Sequence, residues 1–115
     1  MFCTVKVSGT LSAGDVVVWN NSSFDLASSL SAPLGVLAED AAFDDESESY
    51  YAPVIFAGIA WAKCSQNIPD QGGELQVENG RVYVDNSSTG IGIISPISKG
   101  HSSRISGDLV MIHIR

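Results

Sequence analysis

Hydrophobic and polar residues alternate most regularly in the stretch Leu75-Gln-Val-Glu-Asn-Gly-Arg-Val-Tyr-Val84. Asn79-Gly80 is a favoured pair for a two-residue type I′ turn, because both central positions take positive φ. Such a loop sets Glu78 opposite Arg81, Val77 opposite Val82, Gln76 opposite Tyr83 and Leu75 opposite Val84. One face then collects Leu75, Val77, Val82 and Val84. The other collects Gln76, Glu78, Arg81 and Tyr83, with opposite charges directly across from each other. Pattern, turn chemistry and charge all specify a hairpin.

Val54-Ile-Phe-Ala-Gly-Ile-Ala-Trp-Ala62 is apolar at odd and even positions alike, and so is Leu109-Val-Met-Ile-His-Ile114. Both read as strands buried on two sides, within the domain or against a partner. A small domain has limited interior for two such strands, so subunit contact is expected. Elsewhere Gly and Pro punctuate short runs rich in Val, Ile and aromatics, the pattern of a sandwich or barrel. The single helical candidate is Phe24–Leu30, which Ser22 or Ser23 would cap. The fold class expected for residues 1–115 is all-β: one compact β-sandwich or barrel-like domain with at most one short helical turn.

An internal repeat organises these segments. Val16-Val-Val-Trp-Asn-Asn-Ser-Ser23 resembles Arg81-Val-Tyr-Val-Asp-Asn-Ser-Ser88. Pro33-Leu-Gly-Val-Leu-Ala38 is matched by Gly90-Ile-Gly-Ile-Ile-Ser95, and Pro53-Val-Ile-Phe-Ala57 by Asp108-Leu-Val-Met-Ile112. Each copy runs strand, Asn-Ser-Ser turn, glycine-aliphatic strand, loop and apolar strand, which indicates a strand–turn–strand duplication.

Composition narrows the function. At 115 residues there is room for one domain. A net charge of −7 with only six Lys and Arg disfavours nucleic acid and anionic membrane surfaces as partners. The apolar stretch Ala52–Ala62 is too short to span a bilayer. No basic-then-apolar leader pattern opens the sequence, so Cys3 and Cys64 are expected to be unbridged thiols. Asn20, Asn21 and Asn86, each two residues before a Ser, then read as turn composition.

Residues able to support catalysis are sparse. His113 lies in an apolar strand, and His101 lies in a loop without a second histidine at metal-binding spacing. Nothing nearby marks Cys3 or Cys64 as an activated thiol. Asp44-Asp45-Glu46-Ser47-Glu48 lacks the glycine and the terminal Glu of a calcium loop and reads as a solvated turn. Gly90-Ile-Gly lacks the third glycine of a dinucleotide fingerprint. No catalytic group, metal site or cofactor is expected. A small β-barrel enzyme using Cys64 or His101 is the weakest of three readings.

The layout also carries a resemblance. Ala13-Gly14-Asp15-Val16-Val17-Val18, followed by Leu34-Gly-Val-Leu-Ala-Glu-Asp-Ala-Ala42, an acidic loop and Val54-Ile-Phe-Ala-Gly-Ile-Ala60, resembles the small phage head-decoration proteins, also called capsid cement or stabilising proteins. The resemblance covers nearly the whole chain and rests on the order of elements. It implies a homotrimeric β-domain, assembled in the host cytoplasm, that docks on the capsid exterior of the virion. There it would stabilise contacts between subunits of the major capsid protein. Residues 1–8 would be either an N-terminal arm that pairs with a neighbour's strand or an edge strand of the domain. Contacts between subunits or with the shell would fall on Phe2, Val5, Val54, Phe56, Ile59, Trp61, Met111 and His113. The alternative is a trimeric fibre-base or adhesion module of a virion, binding host glycans through Trp19, Trp61 or Tyr50-Tyr51.

Overall fold

The computed structural model describes residues 2–28, 34–65, 73–85, 87, 90, 92–94 and 109–114. These form eleven strands and no helix: β1 (Phe2–Val7), β2 (Val16–Trp19), β3 (Phe24–Leu26), β4 (Leu34–Leu37), β5 (Ala42–Asp44), β6 (Ser49–Ile55), β7 (Gly58–Lys63), β8 (Leu75–Glu78), β9 (Arg81–Val84), β10 (Gly92–Ile94) and β11 (Leu109–Ile114). Strands β1-β3-β2-β4-β6 follow one another in a sheet that closes through β1–β6 pairing, and β5 extends β6. The result is a five-stranded barrel. Of the expected arm or edge strand at residues 1–8, Phe2–Val7 is a strand of the barrel, because β1 lies in register with β6 from Phe2↔Ile55 to Val7↔Tyr50.

Alternation along the barrel strands explains why they are apolar on both faces. Val17, Leu37, Ala52 and Val54 point into the barrel with Val7 and Phe24. Their neighbours Val16, Val36 and Ile55 point outward into a second cluster, completed by Ala60, Ala62, Leu75, Val82, Val110 and Ile112. This outer cluster is roofed by the sheet β10-β11-β7 and by the hairpin β8-β9. Full burial of each Val or Leu is worth roughly 1.5–3 kcal/mol, so the two layers hold each other in place.

Two sequence expectations need correction here. The apolar run Val54–Ala62 is not one strand. β6 ends at Ile55, the chain turns through Phe56-Ala57, and β7 begins at Gly58 with φ at 94°. One half of the run completes the barrel and the other half starts the second sheet. Phe24–Leu30 is not a helical turn either, since Phe24–Leu26 forms β3 between β1 and β2. Phe24 is held by ring contacts to Trp19 at 5.4 Å and Phe56 at 5.5 Å, and this tertiary packing outweighs a weak local cap.

The 75–84 hairpin has the expected register, from Leu75↔Val84 to Glu78↔Arg81. Asn79 and Gly80 take φ of 49° and 79°, as a type I′ turn requires. Gly80 also joins the layers. Its N–H donates to the Ala27 carbonyl at 2.7 Å and its carbonyl accepts from Val16 N–H at 2.9 Å. A Cβ there would stand 2.5 Å from Leu26 Cδ2 at a φ of 79°, so any other residue strains the turn and pushes the Leu26 side chain aside.

The repeat is visible in local geometry. Asn20 Oδ1 accepts from Ser22 N–H at 3.2 Å, and Asp85 Oδ1 accepts from Ser87 N–H at 3.0 Å, an Asx turn at equivalent positions. The later strands also pair alike: β4 runs antiparallel to β6, and β10 antiparallel to β11. The first strands differ in partner, with β2 pairing β4 and β9 pairing β8.

Candidate interaction surface

The site is built on β7 and β11, which pair antiparallel from Gly58↔Ile114 to Lys63↔Leu109. Alternation turns Ala60, Ala62, Val110, Ile112 and Ile114 inward to the shared core. It turns Ile59, Trp61, Leu109, Met111 and His113 outward. Ile59, Trp61 and Leu109 are 53%, 54% and 46% exposed. Trp61 lies opposite Met111 and Ile59 opposite His113, so these residues form one continuous face. β7 therefore buries two alanines and exposes an isoleucine and a tryptophan.

The remaining members of the expected contact set lie elsewhere. Val54 is fully buried inside the barrel, where it cannot reach a partner. Val5 and Phe56 are half-buried against the barrel core, the latter in a tilted ring contact with Phe24. Phe2 is placed by its backbone pairing with Ile55. Ile59, Trp61, Met111 and His113 do come together. Leu109 joins them and was missed, although it shares the parity of Met111 and His113 in the C-terminal strand.

Lys63 ends the face without adding an unmatched charge. Its Nζ lies 2.9 Å from Asp15 Oδ1 and also donates to Ser12 Oγ, and both ionic side chains are largely buried. Asp15 Oδ2 in turn accepts from Ser12 N–H at 2.9 Å. Lys63 N–H donates to the Gly14 carbonyl at 2.9 Å. The Gly14-Asp15 segment thus ties β7 to the barrel by main chain and side chain together.

Beside the outer edge of β7 runs an apolar groove of about 270 Å³, lined by Gly14, Leu37, Ile55, Ile59, Trp61 and Leu109 among others. At its Ala13 end, Asp40 Oδ1 accepts from Ala13 N–H at 2.8 Å. Charge is segregated along the chain. Residues 1–62 hold eight of the thirteen acids and one of the six bases, which accounts for the whole net charge of −7. Residues 63–115 balance.

The other chemical candidates are scattered. Cys3 is exposed on β1 and Cys64 is buried, and the two form no disulfide. His101 lies outside the described residues. Among the described residues no group of three or more His, Cys, Asp or Glu is placed to hold a metal. In the acidic segment, Asp44 Oδ2 accepts from Ser47 Oγ at 2.6 Å and from Ser47 N–H at 3.2 Å. The Ser47 hydroxyl and then its N–H hold the Asp44 carboxyl below its usual range, and Ser87 does the same for Asp85. A second recess of about 400 Å³ at the hairpin tip is lined by Asp15, Leu26, Ser65, Glu78, Asn79 and Arg81, with no converging set of like groups. The aromatics are divided as well: Trp19 packs on Phe24, Tyr50 on Phe43 at 5.1 Å, and Trp61 lies on the second sheet. No helix among the described residues is long and apolar enough to cross a membrane. No protein-family model matches the chain, and no curated protein matches it either.

Proposed function

We propose that this chain is a structural binding protein of a viral shell, a capsid decoration protein that works by cohesion and performs no chemistry. The observation that carries this reading is the inverted burial on β7, with Ala60 and Ala62 covered and Ile59 and Trp61 exposed beside Leu109 and Met111. Contiguous exposed apolar faces on a rigid scaffold mark interaction sites. Tryptophan surrounded by smaller apolar groups is the residue type that most often dominates binding energy. The arrangement also suits many weak contacts made in parallel, since a shell carrying numerous copies supplies avidity that one contact lacks. The major capsid protein is the partner in this reading, and homotrimers are the assembled unit. The order of strands and turns that resembles the decoration proteins supports it.

The test uses expanded shells that lack the protein. Wild-type protein added back should bind and raise the temperature at which the shells release DNA. Trp61→Ser with Ile59→Ser should fold normally and fail to do so. Shells equally heat-resistant with and without bound wild-type protein would reject a stabilising role.

A further inference from the structure

The main chain of β7 carries information separate from its side chains. Lys63 N–H points away from β11, toward the Gly14 carbonyl. Cys64 next makes a parallel bridge to Val82, with Ser65 N–H donating to the Val82 carbonyl at 2.9 Å. Lys63 therefore belongs to a pair that does not exchange hydrogen bonds with Leu109. In an antiparallel ladder such pairs alternate, so Trp61↔Met111 and Ile59↔His113 are of the same kind. The N–H and C=O groups of Ile59 and Trp61 consequently face the outer edge of β7. Among the described residues this edge is used by Gly14 and β9 only from Lys63 onward. The unused stretch opens beside the apolar groove.

We infer that the outer edge of β7 at Ile59–Trp61 accepts an extended segment of a partner protein, added as a further strand. This goes beyond the apolar outer face, because it uses the backbone groups of the strand edge and the groove that continues from that face past the edge toward Gly14 and Leu37. Strand addition draws affinity from the main chain and specificity from pockets for alternate side chains. The groove, lined by Leu37, Ile55 and Leu109, takes an apolar side chain. Charge decides the rest of the occupant. Asp40 stands at the Ala13 end, the surrounding barrel segment carries the whole negative excess, and the cation at the other end, Lys63, is already matched by Asp15. The segment that fits is apolar in alternation and carries Lys or Arg at the end that reaches Asp40. A second copy of this acidic barrel fits that end poorly.

The experiment is amide exchange and chemical-shift mapping on the full chain. The probes are synthetic peptides of about nine residues that alternate Val and Thr, with Lys at one end or the other. In the free protein, Ile59 and Trp61 amides should exchange on the order of a hundredfold faster than those of Ala60 and Ala62. One Lys orientation should slow them and shift Gly14 and Leu37. Peptides N-methylated at alternate residues should bind about tenfold more weakly, the loss of roughly 1.4 kcal/mol of main-chain hydrogen bonding. Asp40→Asn should weaken the Lys peptide and flatten its salt dependence. Ile59→Pro removes one outward donor and should abolish binding, with circular dichroism reporting whether it folds. Ile59 and Trp61 amides already protected in the free monomer would overturn the inference. So would N-methylated peptides that bind unchanged, the absence of any shift at millimolar peptide, or a concentration-dependent dimer that protects these two amides. None of these outcomes depends on whether the protein binds shells.

Discussion

In the barrel, β2, β4 and β6 are apolar on both faces and both faces are covered. Val17, Leu37 and Val54 fill the inside, while Val16, Val36 and Ile55 meet the second layer. In the second layer, β7 and β11 are just as apolar, yet only one face is covered, and Ile59, Trp61 and Leu109 stand half-exposed. The barrel is also where the net charge resides, whereas residues 63–115 are neutral overall. The difference teaches that a doubly apolar strand announces two covers without saying whose they are. For the barrel strands both covers belong to this chain. For β7 and β11 the described residues cover one face, and in the proposed function a partner covers the other.

The largest test of this contrast removes buried side chains from each layer. Leu37→Ala in the barrel and Ile112→Ala in the outer cluster should each cost about 2–5 kcal/mol in denaturant unfolding. The shared cluster should keep both variants to a single transition, and two separated transitions would break the picture of mutually covering layers. Gly80→Ala attacks the joint, since it forces a side chain against Leu26 at positive φ. A loss of about 1–3 kcal/mol is expected, more than glycine's usual entropic difference.

Asp15→Ala comes next. It strips Lys63 of its ion pair and Ser12 N–H of its acceptor, and should cost about 1–3 kcal/mol. Because the pair is largely buried, added salt should restore little of that loss. Trp61→Ser should change stability by no more than about 0.5 kcal/mol while removing binding, the reverse of Leu37→Ala. A destabilisation comparable to Leu37→Ala would mean that the exposed face already has a cover within the chain.

The smallest effect lies on the acidic hairpin. Asp44 has its carboxyl lowered from 3.8 by Ser47. A depressed native value stabilises above the unfolded value, and that contribution fades as pH falls through the native one, below 3.8. Ser47→Ala should bring the Asp44 titration, followed by NMR, back toward its ordinary range, with no detectable change in stability at neutral pH.

Sequence by itself determined what short-range chemistry governs. Asn79-Gly80 and the alternation around it specified the hairpin to the residue, because a two-residue turn leaves one register. The polar turns at Asn20 and Asp85 were legible for the same reason, their side chains bonding only two residues on. The all-β class followed from period-two patterning between turn residues. Tertiary structure decided the rest. It broke Val54–Ala62 at Phe56-Ala57, since one half faces β1 and β4 and the other faces β11, partners distant in sequence. It drew Phe24 into a strand between Trp19 and Phe56, and it seated β1 in the barrel. It also selected which of two equally apolar faces of β7 and β11 is covered. Hydrophobicity states that a side chain leaves water, and only the packing of remote segments settles what it packs against.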